Sequence, residues 1–149
     1  MPELRPVLLV EDNPKDLELT LAALERCQLA NEIVVARDGE EALDFLYGRG
    51  PFDGRTDGDP TVVLLDLKLP KIDGLEVLQR VKNDPELRHI PVVMLTSSRE
   101  EQDLVRSYEL GVNAFVVKPV EFTEFFKAIQ HLGVFWALLN EPSPRYRRK

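Results

Sequence analysis

Val62-Val63-Leu64-Leu65 is an unbroken apolar run closed by Asp66. A strand with one wet face alternates polar and apolar residues; a short run without alternation, rich in β-branched residues, reads as a strand covered on both sides. Similar runs recur along the chain at Val7-Leu8-Leu9-Val10, Ile33-Val34-Val35-Ala36, Val92-Val93-Met94-Leu95 and Ala114-Phe115-Val116-Val117. The segments between them carry helical spacing. Leu17, Leu21 and Leu24 form one stripe, Leu75, Leu78, Val81 and Lys82 a second, and Leu104, Val105 and Tyr108 a third. Strand and helix thus alternate five times. Parallel neighbours need a long, right-handed crossover, so the pattern predicts an α/β fold: a doubly wound five-stranded parallel sheet with helices on both faces.

The joints agree. Asn13-Pro14 supplies a helix cap followed by proline at the first helical position, with Asp16 near the positive end of the helix dipole. Gly111 follows Leu110 where a helix is expected to end in a left-handed residue. The connection Gly48–Pro60, with four glycines, two prolines and three aspartates, reads as an exposed, flexible insertion before the third strand. The last helix is apolar almost all round: Phe122, Phe125, Phe126, Ile129, Leu132 and Trp136 mark one face, and Val134, Phe135, Ala137 and Leu138 widen it. A helix apolar on more than one side is buried on more than one side, which points to a homodimer through Phe126, Phe135, Trp136 and Leu139. The expected organisation is one domain over residues 5–139 and a proline-containing basic tail over 140–149.

Composition removes several classes. At 149 residues, 44% hydrophobic and 30% charged, the chain suits one folded domain rather than a disordered one. Nineteen basic against 26 acidic residues give a net charge of -7, which argues against nucleic acid as a partner. The tail Arg145-Tyr146-Arg147-Arg148-Lys149 conceals a body that is more acidic still. Val134–Leu139 is far too short to span a membrane. The single Cys27 has no internal partner and no signal peptide opens the chain, so a reducing cytoplasm is expected. Cys27 reads as structural, and His89 and His131 as surface or packing residues.

Chemistry concentrates at strand ends. Glu11 and Asp12 follow the first strand and Asp66 closes the third. Ligands of open parallel sheets sit outside the carboxyl ends of the strands, where strand order reverses. Neighbouring first and third strands would bring three carboxylates together, and their repulsion calls for a hard cation, better Mg²⁺ than Ca²⁺ for an incomplete oxygen set. Thr96-Ser97-Ser98 and Lys118-Pro119 bring hydroxyls and an ammonium to the same edge. A hydroxyl, an ammonium and a divalent cation around one carboxylate suit a transferred phosphoryl group.

Glu11-Asp12, Leu64-Leu65-Asp66-Leu67, Pro70 with Asp73-Gly74, Leu95-Thr96-Ser97 and Val117-Lys118-Pro119 together resemble the response-regulator receiver domain of two-component signalling. The resemblance spans about residues 5–132. It implies a flavodoxin-like sheet of order 2-1-3-4-5, with Asp66 as phosphoacceptor for a histidine kinase. It also implies Mg²⁺ held directly by Asp12 and Asp66, through water by Glu11, and by the backbone carbonyl of Lys68. Thr96 and Phe115 match the family's switch pair, and Lys118 the residue that holds a phosphoryl oxygen, before a cis peptide to Pro119. Phe115 stands where many members carry tyrosine, so no hydroxyl is available to an output partner. The segment from Phe135 to Pro142 and the long loop before the third strand are similar to single-domain regulators partnered with bacterial phytochromes.

On this reading the chain catalyses only its own phosphorylation and dephosphorylation. With no output domain expected after the last helix, it signals by protein–protein contact or phosphorelay. A flavin protein of the same fold would need a glycine- and hydroxyl-rich phosphate loop where Glu11-Asp12 stand, and an aspartate-nucleophile phosphatase a second aspartate where Pro14 stands. The remaining alternative is a non-catalytic metal-binding scaffold.

Overall fold

Side chains of a strand point alternately to its two faces, and the apolar runs are sorted accordingly. The computed structural model describes residues 5–29, 31–56, 58–112 and 114–132. Its strands are β1 (Val7–Val10), β2 (Ile33–Ala36), β3 (Val62–Asp66), β4 (Val92–Thr96) and β5 (Phe115–Val117). They form one parallel sheet in the order β2-β1-β3-β4-β5. Between and after them run α1 (Pro14–Arg26), α2 (Gly39–Tyr47), α3 (Gly74–Asn83), α4 (Arg99–Ser107) and α5 (Phe122–Leu132). Leu8, Val10, Val63, Leu65 and Met94 pack against α2, α3 and α4 through Leu43, Phe45, Leu78 and Val105. Val7, Leu9, Val62, Leu64 and Leu95 pack the other face against Leu17 and Leu24 of α1 and Phe125 and Ile129 of α5. Each such side chain contributes about 1.5–3 kcal/mol of burial, and β1, β3 and β4 are buried throughout and paired on both sides.

Helices begin just beyond the carboxyl ends of the strands, and capping side chains fix where. Asn13 Oδ1 accepts from the backbone N–H groups of Lys15 and Asp16 at 2.9 and 3.0 Å. Asp38 caps α2 through Glu41 N–H, Asp73 caps α3 through Glu76 N–H, and Ser98 caps α4 through Glu101 N–H. Each cap stabilises its helix by about 1 kcal/mol. The functional edge of the sheet is therefore rimmed by four anchored helix starts.

Three sequence expectations need correction. Leu104 and Tyr108 do not form a buried stripe with Val105; they are 47% and 46% exposed, while Val105 alone reaches the core. The fourth helix stops at Ser107, with Glu109 taking the left-handed conformation (φ 52°), so Gly111 lies in the following loop rather than at the helix end. Gly48–Pro60 is not a bare flexible insertion. Gly50–Phe52 makes a 3-10 turn, the Phe52 ring meets Phe45 edge-on at 5.1 Å, and Arg55 Nε donates to the Phe45 carbonyl at 2.7 Å with its guanidinium 3.9 Å over the Phe45 ring. The insertion is thus pinned to the underside of α2 by an aromatic pair and a buried-side arginine. Cys27 is buried, and burial pushes its thiol up to about 11, which fits a structural role. Among the described residues no helix is long and apolar enough to cross a membrane.

Candidate functional site

Because β1 pairs with β3, with Val10 opposite Leu65, the residues that leave these strands arrive at one place. A carboxylate oxygen from each of Glu11, Asp12 and Asp66 lies within 4.8 Å of the others. Glu11 and Asp66 are buried, whereas Asp12 is exposed at the rim. β4 and β5 bring the complementary groups from the other side. Thr96 stands opposite Val117, and the Lys118 N–H donates to the Thr96 carbonyl at 2.8 Å. The Lys118 side chain then turns back over the sheet edge, from a residue joined to Pro119 by a cis peptide. Its Nζ lies 3.0 Å from Asp66 Oδ2, 3.3 Å from Glu11 Oε1 and 3.1 Å from Asp16 Oδ2.

Charge at this edge is unbalanced. Burial, reinforced by the neighbouring Asp66 carboxylate, pushes Glu11 up to about 7, against the pull of Lys118 and the Asn13 N–H. Burial alone would lower the Lys118 ammonium, but the hydrogen bond and charge of Asp66, with Asp16 and Glu11 behind it, outweigh that and push it up. Lys118 is therefore a fixed positive charge. Three carboxylates contact the one ammonium and Asp12 stands beside two of them, and a cluster of hard oxygen donors with one arm open to water fits a divalent cation.

The loop between β3 and α3 carries Lys68 and is held by close backbone packing. Its Lys68 N–H lies 3.4 Å from Asp66 Oδ1. A Cβ at Gly74 would fall 2.0 Å from the Asp66 carbonyl oxygen, and one at Gly39 would fall 1.8 Å from the Ile72 carbonyl oxygen. Only glycine allows either approach. Lys71 adds ion pairs to Asp38 and Glu40 at 3.6 Å each, so the loop is clamped to the start of α2. The Lys68 side chain, 81% exposed, reaches Glu101 Oε2 of α4 at 3.5 Å. An open cleft of about 500 Å³ lies over Asp12, Lys68, Asp73, Leu75 and Leu104.

Thr96 is buried, and its hydroxyl accepts from Gln102 Nε2 at 3.4 Å. Phe115 is half-buried against the α2, α3 and α4 side of the core, with the Arg106 guanidinium 4.5 Å over its ring. Gln102 and Arg106, one turn apart on α4, thus touch both members of the expected switch pair. Ser98 caps α4. Phe126 is half-buried on α5, its ring 5.8 Å from that of Phe122; Phe135, Trp136, Leu139 and the basic tail lie outside the described residues. Sequence reasoning missed Asp16 as a partner of Lys118, having read it as a dipole residue, and gave no signal for Gln102 or Arg106.

Comparison with known proteins agrees with this geometry. The family model for the response regulator receiver domain matches residues 7–130. The response regulator Rcp1 of Synechocystis sp. is 41% identical over 130 residues, covering 87% of each chain; its solved Mn(2+)-bound form superposes with a TM-score of 0.71 at 39% identity, covering 93% of this chain and 97% of that one. The bacteriophytochrome response regulator AtBRR is 81% identical, with a TM-score of 0.89 over 94% of this chain and 100% of that chain. A second bacteriophytochrome response regulator, RtBRR, is 63% identical with a TM-score of 0.89 over 98% of this chain and 88% of that one. A sheet that gathers Glu11, Asp12, Asp66, Thr96 and Lys118 at its carboxyl edge, together with a family match spanning most of the sequence, makes this chain a member of the response regulator receiver domain family.

Proposed function

We propose that this chain is a phosphorylation-controlled signalling protein in which Asp66 accepts one phosphoryl group from the phosphohistidine of a histidine kinase, in a Mg²⁺-dependent reaction. The observation that carries this reading is the Asp66 carboxylate itself: buried, 3.0 Å from the Lys118 ammonium and grouped with Glu11 and Asp12. Glu11, Asp12, Asp66 and the Lys68 backbone carbonyl would hold the cation, whose charge would offset that on the phosphoryl oxygens. That the related Rcp1 has a Mn(2+)-bound form supports divalent-cation binding by this chain.

The chain's own residues do the rest. Asp66 offers one carboxylate oxygen to phosphorus; an Asp–phosphorus bond forms as the donor's nitrogen–phosphorus bond breaks. Lys118, already charged and anchored, holds an oxygen of the transferred group without reorganisation. The Thr96 hydroxyl leaves Gln102 and turns toward the phosphoryl oxygen, and Phe115 packs inward behind it. The change is read on the surface of α4, β5 and α5. Output is protein–protein contact or phosphorelay in the cytoplasm, and the chain catalyses nothing beyond its own phosphorylation and dephosphorylation.

The likeness to AtBRR and RtBRR, both bacteriophytochrome response regulators, supports a bacterial phytochrome kinase as the donor. Acetyl phosphate or such a kinase, with Mg²⁺, should add one phosphoryl group by intact mass, absent in Asp66→Asn. Equal labelling of that variant would overturn the assignment, and no labelling of either would favour a metal-binding scaffold. We also assign the last helix as a homodimer contact, on the apolar sequence from Phe126 through Phe135, Trp136 and Leu139. Sedimentation should show a dimer that Trp136→Ala weakens; a monomer at high concentration would remove this part.

A further inference from the structure

Lys118 has three carboxylate partners, and they are not equivalent. Asp66 and Glu11 are buried, with side chains 6% and 0% exposed, and both belong to the group of oxygens that could hold a metal. Asp16 lies outside that group, is 31% exposed, and approaches Nζ from the first turn of α1. Its backbone is fixed there, since its N–H donates to Asn13 Oδ1 at 3.0 Å in the cap of the helix. Asp16 thus has an anchored backbone and a carboxylate that meets the ammonium from outside the group of Glu11, Asp12 and Asp66.

An ammonium seated on Glu11 and Asp66 competes with a divalent cation for the same oxygens, and like charges a few ångströms apart repel. The ammonium cannot simply leave, because the proposed chemistry needs it beside Asp66. We propose that Asp16 is a positioning residue: it holds the Lys118 ammonium at the outer side of the cluster and so frees Glu11 and Asp66 for a divalent cation. This rests on the reading of Glu11, Asp12 and Asp66 as a divalent-cation site.

The test is a double-mutant cycle on binding of Mn²⁺ alone to the full chain, with free Mn²⁺ followed by electron paramagnetic resonance. Asp16→Asn should weaken binding by about two- to fivefold, the range of a partly exposed ion pair. Lys118→Met should tighten binding by removing the competitor. The decisive quantity is the effect of Asp16→Asn in the Lys118→Met background. If Asp16 acts through Lys118, its effect there shrinks; if it acts only as one more distant negative charge, the two effects are equal and the proposal fails. Asp16→Glu, which keeps a carboxylate within reach of Nζ, should bind Mn²⁺ as the unaltered chain does, separating loss of the contact from damage to the helix start. An unaltered chain that binds no Mn²⁺ would overturn the cation site and this inference together, whereas normal binding with equal effects overturns the inference alone.

Discussion

The two sides of the Asp66 carboxylate are built differently. On the α1 side, Lys118 makes three charge-assisted contacts of 3.0 to 3.3 Å, and its partners are mostly buried. On the α4 side, Thr96 is held by one 3.4 Å hydrogen bond from Gln102, and Phe115 by an arginine 4.5 Å over its ring. Short, buried ionic contacts are strong and fix one geometry, whereas a long hydrogen bond is weak and readily exchanged. The helix carrying those weaker contacts also exposes Leu104 and is followed by exposed Tyr108. The site therefore pairs a rigid chemical half with a loosely held half suited to moving, and the loosely held half faces the outside.

The contrast can be broken most sharply at Lys118. Removing one preorganised donor from a phosphoryl-transfer site costs about 10²-fold or more in rate, so Lys118→Ala should slow phosphorylation of Asp66 by that order in rapid-quench measurements. A rate within about threefold of the unaltered chain, on the same scale, would show that the rigid half is structural only.

Glu11 gives an intermediate effect. With its carboxyl raised from an ordinary 4.5 to about 7, it carries a proton below that pH, and binding a cation must expel the proton. Mg²⁺ affinity should therefore fall by up to about tenfold per pH unit below about 7 and level off above it. Titrations near pH 6 and pH 8 check this, and a flat profile would mean that Glu11 takes no part in binding. Without metal the stability linkage has the opposite sense. A carboxyl raised in the folded state favours folding most below 4.5, and that contribution is lost as pH rises to about 7. Added Mg²⁺ should restore it, seen as a melting temperature that rises more at pH 8 than at pH 6.

The smallest effects belong to the α4 side. Arg106→Ala removes an exposed cation–π contact worth about 0.5–1 kcal/mol, and thermal melts should register no more than that. Gln102→Ala should likewise cost about 1 kcal/mol or less. Its clearer signature should be kinetic: with Thr96 no longer held, phosphorylation by acetyl phosphate should become faster. A loss of stability several times larger for either variant would place a strong anchor where the structure shows a weak one.

Most of the chemical half was legible in the sequence because it is written at strand ends. A run such as Val62-Val63-Leu64-Leu65 announces a covered strand, and the charge closing it has nowhere to go but the carboxyl edge of the sheet. Glu11, Asp12, Asp66, Thr96 and Lys118 are readable for that reason. Asp16 was not, because a helix start followed by an acid already has a sufficient local explanation in the dipole. Gln102 and Arg106 lie on a helix whose apolar spacing misled: Leu104 and Tyr108 fit a stripe by position, yet the helix turns only Val105 to the core. Gly48–Pro60 was misread because glycine and proline content says where the chain turns and nothing about what Arg55 and Phe52 grip. Those contacts depend on how the ring and carbonyl of Phe45, at the end of the preceding helix, are presented to the loop.

The approach of Gly39 to the Ile72 carbonyl has a mechanical consequence. A hydrogen is all that separates the start of α2 from the loop that carries Lys68, and contact that tight leaves no slack. The turn after the edge strand β2 and the loop below Asp66 are thereby held together as one unit. A methyl group at position 39 would have to push that loop aside by more than an ångström to reach an ordinary van der Waals distance of about 3.5 Å. The start of α2, which puts no side chain into the acidic cluster, thereby acts as a gauge block that sets the height of the loop beneath Asp66.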